Sequence, residues 1–218
     1  MTRTMLDTNR DPHTTPHLDS AALVVIDVQN DFLDDGPLGV AGTKDRLSEI
    51  ERLTKVFRRA GRPIVHAIRL YHGEDVDTVR RTRFDAGERV VQPHTEGADI
   101  PRSLLPVDVR LKPEQLMNGE AQRIGEQELV VWKPRWSAFH RTNLDAILRG
   151  LGVDTVVVAG CNFPNCPRAS LFDATELDYR AAIVTDATSA VTPERISDMV
   201  AIGVVPLTVD ELEQGFFG

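Results

Sequence analysis

The chain has 218 residues, of which 41% are hydrophobic and 27% are charged, values that are ordinary for a folded protein and exclude disorder throughout. We expect a single domain, because this length allows one large core and is short for two. The formal net charge of -8 would repel a phosphate backbone, so binding to nucleic acid is disfavoured.

The two cysteines, Cys161 and Cys166, are too few for a disulfide framework and would remain thiols in a reducing compartment. Residues 1–19 contain no apolar stretch of the kind that a secretion signal needs, and no apolar run is long enough to cross a membrane. We therefore expect a cytoplasmic protein without a membrane partner. Residues 1–19 are interpreted as a flexible extension and residues 20–218 as the single domain.

Strands and helices are predicted to alternate along the chain. The first strand is predicted at 21–28, where a continuous apolar run over residues 21–26 closes on Asp27, as in a strand buried on both faces. Apolar residues recur at helical spacing over 47–60, where Gly61 and Pro63 end the run. Further strands are predicted at 63–70 and 129–132, a helix at 143–151, and a fourth strand at 153–159.

The second half continues this alternation. Pro167 suits the first turn of a helix, where its missing N–H is not needed, so Cys166 is predicted at a helix N-terminus. A fifth strand at 181–185, a helix at 192–201 and a sixth strand at 204–207 follow. Thr208 and Glu211 have the spacing of a capping box for a last helical turn. Residues 71–127 show little periodicity, and we expect this long segment to shape a pocket or an oligomer contact.

This alternation predicts an α/β fold with three layers, a parallel sheet covered by helices on both faces. Ligands of such sheets bind beyond the carboxyl ends of the strands. Asp27 ends the first strand, Lys133 follows the third, and Cys166 opens the helix after the fourth. A cation and a helix N-terminus favour a thiolate, and a carboxylate can accept its proton. The three residues are candidates for catalysis, although singly a loop cap, a solvated lysine or a core cysteine would be ordinary.

Three segments together resemble the isochorismatase-like cysteine hydrolases, a family that includes nicotinamidases and N-carbamoylsarcosine amidase. Residues 22–32 read Ala-Leu-Val-Val-Ile-Asp-Val-Gln-Asn-Asp-Phe and look like the family's opening strand and acidic residue. Residues 130–134, Val-Val-Trp-Lys-Pro, with Ser-Ala-Phe at 137–139, look like its lysine motif. Residues 160–166 match its nucleophile loop in length. The similarity extends over most of residues 21–205.

The resemblance implies a Rossmann-like sheet of six parallel strands in the order 3-2-1-4-5-6, with the active site where the first and fourth strands meet. It implies Asp27, Lys133 and Cys166 as the catalytic residues, a small-molecule amide or ureide as the substrate, and no cofactor. Relatives usually form homodimers or homotetramers. Lys133 fits less simply, because its strand lies two positions from the first, and the backbone after Trp132 would have to bend toward the site.

The family also has a non-proline cis peptide in the nucleophile loop, which by position would join Cys161 and Asn162. The backbone N–H groups of Asn162 and Cys166 would form an oxyanion hole for the substrate. The loop reads Gly-Cys-Asn-Phe-Pro-Asn-Cys-Pro-Arg over 160–168. It departs from the usual family text at Phe163 and Pro164, so the pocket wall should differ from that of nicotinamidases.

Five side chains are candidates for contact with the substrate: Phe32, Arg69, Trp136, Phe163 and Arg168. The aromatic rings could stack on a planar group and an arginine could pair with a carboxylate or carbonyl, although core packing and surface charge explain them almost equally well. Nicotinamidases hold a metal with an Asp-x-His pair and a further His, whereas residues 66–73 here read His-Ala-Ile-Arg-Leu-Tyr-His-Gly. We therefore expect no metal, and we interpret His66 as a packed or hydrogen-bonded strand residue.

Two other functions stay open from the sequence. True isochorismatases cleave a vinyl ether with the acidic residue and need no cysteine nucleophile, so Asp27 could act without Cys166. The chain could also be a non-catalytic binding protein on the same fold. A Cys-x-x-x-x-Cys metal or redox site is disfavoured, because a stable zinc site needs four ligands and the chain has no second cluster.

Overall fold

Residues 11–218 are described by a computed structural model, and they form a central sheet with helices on both faces. The strands are β1 Ala21–Ile26, β2 Ile64–Ile68, β3 Gln122–Gly125, β4 Glu128–Trp132, β5 Thr155–Gly160, β6 Arg180–Thr188 and β7 Val205–Leu207. Every residue of β1, β2 and β5 is buried. Side chains on both faces of these strands are removed from water, which explains why their sequences are mostly apolar.

The strands lie in the order β3-β4-β2-β1-β5-β6-β7, and all neighbours are parallel except β3 and β4. The predicted α/β class is confirmed, and the six parallel strands have the implied order. The predicted strand count was one too low, because β3 adds an antiparallel strand at the edge. This strand has four residues that alternate between buried and more exposed, so it has no continuous apolar run.

The helices are α1 Leu47–Arg59, α2 Arg81–Asp85, α3 Pro113–Met117, α4 Leu144–Gly150, α5 Cys166–Glu176, α6 Pro193–Val200 and α7 Val209–Phe217. Alternate residues of β1 belong to two apolar clusters, one shared with α1 and α7 and the other with α4, α5 and α6. Thr208 and Glu211 form the predicted capping box, and the helix that they open is longer than the predicted turn. Over residues 11–218, none of these helices is long and apolar enough to span a bilayer.

Part of the expected N-terminal extension packs against the sheet. Thr15, His17 and Leu18 are buried. The backbone N–H of His17 donates to Thr155 Oγ1 at 3.0 Å, and its Nδ1 lies 2.7 Å from Asp154 Oδ2. These partners are far away in the sequence, so a local pattern does not reveal them. Residues 1–10, the rest of the expected extension, lie outside the described residues.

The segment at 71–127 is tied to the loop that follows β1. The side-chain amide of Gln29 donates to the carbonyl oxygens of Arg69 and Ala98, at 2.8 and 2.7 Å. Asp31 Oδ2 accepts a hydrogen bond from the backbone N–H of Val91 at 2.6 Å. These bonds hold the segment beside the carboxyl end of β1, where Asp27 lies, so it contributes to the wall of the pocket described below.

A buried charged cluster lies at the start of β4. Glu128 Oε1 and Oε2 accept hydrogen bonds from Nη2 and Nε of Arg58, each at 2.8 Å, and His66 Nε2 lies 2.7 Å from Oε1. His66 is therefore the hydrogen-bonded strand residue that the sequence predicts. Burial alone would raise the pKa of Glu128, but the hydrogen bonds from Arg58 and His66 hold it below its ordinary value.

We expect Glu128→Gln to lower the free energy of unfolding by about 2–4 kcal/mol, because Arg58 loses its buried anionic partner. The folded-state pKa of Glu128 is lowered, so its contribution is present above the ordinary carboxyl pKa and is lost as pH falls through the folded value. Urea unfolding of the wild type and the variant at neutral and acidic pH measures this. The exposed Glu126→Gln is the control, and a stability difference independent of pH would contradict the assignment.

Candidate active site

Asp27, Lys133 and Cys166 lie together at the carboxyl end of the sheet. Asp27 follows β1, Lys133 follows β4, and Cys166 is the first residue of α5, which comes after β5. The three residues are 4%, 0% and 8% exposed, respectively. The structure thus brings the predicted catalytic residues into one buried site, although they come from three separate parts of the sequence.

Lys133 reaches Asp27 with its side chain across the end of β2. Its backbone N–H donates to the carbonyl of Ile68 at 2.9 Å, so the main chain still runs beside β2 instead of bending toward the site as expected. Lys133 Nζ lies 2.8 Å from Asp27 Oδ2 and 3.2 Å from the carbonyl oxygen of Arg135. Because both side chains are buried, removing either one would leave an uncompensated charge in a region of low dielectric constant.

Asp27 has a left-handed backbone conformation, with φ of 52°, which aspartate tolerates better than most residues. Its backbone N–H donates to the carbonyl of Ala67 at 2.9 Å. Across residues 11–218, only two buried side-chain polar atoms lack a hydrogen-bond partner, and they are Asp27 Oδ1 and Arg69 Nε. Unpaired buried polar atoms are rare in folded proteins. Both of these belong to residues that line the same pocket, where a substrate could meet them.

A second cation lies against the sulfur of Cys166. Arg69, just beyond β2, is 2% exposed, and its Nη2 lies 3.9 Å from Cys166 Sγ. Its Nη1 lies 3.0 Å from both Asp77 Oδ2 and the carbonyl oxygen of Pro134. Burial alone would lower the pKa of Arg69, but Asp27 and the other acidic groups around it raise it above its usual value, so the guanidinium remains charged.

The surroundings of Cys166 favour a thiol in the resting protein. Burial, followed by the charge of Asp27, raises the pKa of Cys166 to about 11, although Lys133 and Arg69 act in the opposite direction. The sequence suggested a thiolate because it shows the helix N-terminus and the lysine but not the burial. A Cys166 that acts as a nucleophile would therefore have to lose its proton during the attack and not before it.

We expect alkylation of Cys166 by iodoacetamide to accelerate about tenfold for each pH unit from neutral into alkaline solution, because only the thiolate reacts. Cys161→Ala leaves Cys166 as the single cysteine of the chain, so the labelled mass reports on it alone. Slow labelling near neutral pH is therefore compatible with a catalytic role. A labelling rate that has already levelled off near neutral pH would show that the thiol is ionised at rest.

The loop between β5 and α5 is packed closely against β1. Gly160 has a φ of 117°, and a Cβ atom there would overlap the carbonyl oxygen of Ile26, so this position requires glycine. The peptide bond between Cys161 and Asn162 is cis. The N–H groups of Asn162 and Cys166 donate to no acceptor within the described part of the chain. Both residues line the pocket, so two backbone donors are available to a substrate oxygen.

The pocket beside these groups is small, with a cavity volume of about 40 Å³. It is lined by Asp27, Phe32, Val40, Arg69, Tyr71, Asp77, Arg80, Trp136, Cys161, Asn162, Asn165 and Cys166. Phe32, Arg69 and Trp136 were predicted as substrate contacts and do line it. Phe163 does not, because it is fully buried in the apolar cluster beneath α5. Arg168 pairs with Asp198 at 3.2 Å and does not line the pocket either.

The sequence analysis missed five pocket residues. Val40 and Asn165 are two of them, and the other three, Tyr71, Asp77 and Arg80, surround Arg69 or lie on the turn after it. Asp77 accepts hydrogen bonds from Arg69 and from the hydroxyl of Tyr71, the latter at 2.7 Å. All three come from the segment at 71–127, which has no periodicity to mark them. The repeated aspartates and arginines of this segment look alike in the sequence, and only their contacts distinguish those in the pocket from those on the surface.

The side chains of the described residues do not fit a metal centre. Between residues 11 and 218, no group of three His, Cys, Asp or Glu side chains is placed to hold an ion. Arg69 and Lys133 already bring two positive charges close to Cys166. A thiol, a carboxylate beside an ammonium and two backbone donors are instead the groups needed for nucleophilic attack on a carbonyl carbon.

Comparisons with known proteins agree with this arrangement. The family model of the Isochorismatase domain matches residues 21–210 of this chain. The probable inactive nicotinamidase of Arabidopsis thaliana is 36% identical over 202 residues, which cover 88% of this chain and 94% of that protein. The ureidoacrylate amidohydrolase RutB of Rhizobium rhizogenes is 28% identical over 196 residues, covering 84% and 76%.

A solved structure with the same fold is N-carbamoylsarcosine amidase from Thermoplasma acidophilum. Its TM-score is 0.71 at 26% identity, over 88% of this chain and 97% of that one. The family match begins at β1 and includes Asp27, Lys133 and Cys166. This chain is therefore a member of the isochorismatase family of hydrolases.

Proposed function

We propose that the protein is a cysteine-dependent amidase that cleaves a carboxamide or ureido C–N bond of a small molecule through a thioester intermediate. The observation that carries this proposal is the buried Asp27–Lys133 pair beside Cys166, in which Asp27 Oδ1 has no partner among the described residues. Relatives in the family that are named ureidoacrylate amidohydrolase and N-carbamoylsarcosine amidase support hydrolysis of amide or ureido bonds.

In the first half of the proposed reaction, Asp27 takes the proton of Cys166 as the sulfur attacks the carbonyl carbon. Asp27 then gives this proton to the substrate nitrogen, the C–N bond breaks, and ammonia or an amine leaves. In the second half, Asp27 takes a proton from water, whose oxygen attacks the thioester. The C–S bond breaks, the acid is released, and the proton returns to the sulfur.

Lys133 and Arg69 stabilise the sulfur while it carries negative charge. Both cations act to lower the pKa of Cys166, against burial and the charge of Asp27. The thiolate is therefore favoured once Asp27 accepts the proton and becomes neutral, since the main anionic opponent is then removed. In this way the site can hold a resting thiol and still form a nucleophile during attack.

The backbone N–H groups of Asn162 and Cys166 are proposed to hold the carbonyl oxygen as it becomes negative. Neither group donates to a protein acceptor within residues 11–218, and both residues line the pocket. Fixed donors of this kind need no reorganisation during the reaction, and losing one commonly costs about a hundredfold or more in rate.

A non-catalytic binding role is the second candidate, because one of the relatives is named as a probable inactive nicotinamidase. The buried Asp27, Lys133 and Cys166 of this chain favour activity over that role. Cleavage of a vinyl ether by Asp27 without the cysteine is a further alternative. That reaction would give no role to the contact between Arg69 and the Cys166 sulfur.

The test is a screen of small carboxamides, ureides and lactams for released ammonia or amine, with Cys166→Ala as the blank. Substrates that react are then mixed with the wild type, quenched in acid and examined by intact-mass spectrometry for an acyl adduct. An adduct on the wild type that is absent from the variant supports the proposal. Turnover that survives in Cys166→Ala would favour a cysteine-independent reaction, and binding without turnover would favour the non-catalytic role.

A further inference from the structure

The positive and negative charges of the side chains in and beside the catalytic pocket do not sum to zero. Lys133 pairs with Asp27 at 2.8 Å, and Arg69 pairs with Asp77 at 3.0 Å. Arg80 lines the same pocket, and no carboxylate in residues 11–218 lies within salt-bridge distance of its guanidinium. Three cations therefore face two carboxylates, and the pocket has one positive charge left over.

The backbone of Arg80 is held in place relative to the reacting sulfur. Its N–H donates to the carbonyl oxygen of Asp77 at 2.8 Å, which closes the turn that carries it. The carboxylate of Asp77 is in turn bonded to Arg69, whose other terminal nitrogen lies 3.9 Å from Cys166 Sγ. A group bound at Arg80 would therefore lie in a defined relation to the nucleophile.

Among the neighbouring arginines, Arg81 and Arg89 also have no carboxylate partner in residues 11–218, but they line a separate pocket and donate to backbone carbonyls. Three others are paired with carboxylates. Arg135 and Arg141 both approach Asp75, at 3.5 and 3.6 Å, and Arg83 on α2 pairs with Glu88 at 2.8 Å. Each of these cations has a carboxylate of the protein to neutralise it. Arg80 is partly buried at the pocket, where a charge-assisted hydrogen bond is stronger than on an open surface.

We infer that Arg80 is a specificity-determining residue that binds a carboxylate of the substrate, so that the protein acts on small amides or ureides with one negative charge. The inference rests on the proposed function for the identity of the reacting group. A guanidinium presents paired N–H donors that match the two oxygens of a carboxylate. A neutral amide would leave Arg80 without a partner, and a cationic one would be repelled.

Pairs of probe substrates in which a methyl group replaces the carboxylate test the inference. Succinamate is compared with butyramide, and 3-ureidopropionate with propylurea, by ammonia release. We expect kcat/KM to be at least about tenfold higher for the anionic member of a pair, the preference expected from one charge-assisted hydrogen bond. Arg80→Gln should abolish this preference, mainly through a KM for the anion that is about 10–100-fold higher, and Arg80→Lys should restore part of it. Arg83→Gln, which removes the same charge on α2, is the control and should keep the preference.

A binding measurement separates this inference from the proposed function. Calorimetry with the Cys166→Ala protein measures affinity for succinamate and butyramide without turnover, and it is repeated with Arg80→Gln added. Charge-selective binding that Arg80→Gln removes, without turnover of any amide by the wild type, would support the anion site and reject the amidase. Turnover without a charge preference, or with one that Arg80→Gln leaves intact, would overturn the inference and leave the amidase standing. Absence of both turnover and charge-selective binding for these probes would also overturn it.

Discussion

Cys166→Ala should reduce the rate of amide hydrolysis by about 10⁴-fold or more, because in the proposed mechanism the sulfur bonds to the substrate carbon. Asp27, Lys133 and the backbone donors would remain, but they act on a nucleophile that is no longer present. In catalytic groups that act together, removing the nucleophile lowers the rate nearly as much as removing the whole group. Substrate binding should survive, since alanine removes only the sulfur from the pocket.

The two cysteines of the chain provide a matched control for this variant. Burial raises the pKa of Cys161 to about 12, and the hydroxyl of Thr43 lies 3.6 Å from its sulfur. An acyl adduct formed on the wild type should therefore also form on Cys161→Ala and be absent from Cys166→Ala, as read by intact-mass spectrometry. An adduct that is absent from Cys161→Ala and present on Cys166→Ala would show that Cys161, and not Cys166, is the nucleophile.

Asp27→Asn should lower kcat by about 10²–10⁴-fold, because the amide cannot take the proton of Cys166 or activate water. The same change should lower the free energy of unfolding by about 3–5 kcal/mol, since it leaves the buried Lys133 without its anionic partner. Steady-state kinetics and urea unfolding measure the two effects. Near-normal kcat in a folded Asp27→Asn protein would remove Asp27 from the proposed mechanism.

A second variant separates loss of chemistry from loss of stability. Lys133→Met added to Asp27→Asn removes the unpaired charge and replaces it with an apolar side chain of similar length, so stability should recover. Activity should stay lost, because neither the carboxylate nor the ammonium is restored. Recovery of activity along with stability would show that Asp27 acts only by holding the fold together.

The sheet could be read from the sequence because its central strands are covered on both faces. Strands β1 and β5 are short runs of buried apolar residues, and runs of this length that are rich in valine are typical of strands in a parallel sheet. The edge strand β3 could not be read in this way. One of its faces is more exposed, so four residues with mixed polarity carry no clear signal.

The candidate substrate contacts show where a residue type stops being informative. Phe163 and Arg168 lie within three residues of Cys166, yet one is buried in the core and the other pairs with Asp198. Helix α5 begins between them, and neither side chain lines the pocket. Arg80 is far away in the sequence and lines the pocket, because a separate turn brings it there.

The sequence by itself determined the α/β class, the order in which strands and helices follow one another, and the positions of Asp27, Lys133 and Cys166 after strands. Buried strands and helix ends leave local patterns that depend on neighbouring residues only. Only the tertiary structure decided that Cys166 rests as a thiol, that Arg69 contacts its sulfur and that Arg80 lacks an acidic partner in residues 11–218. Ionisation and charge pairing depend on burial and on groups distant in the chain, so no local pattern encodes them.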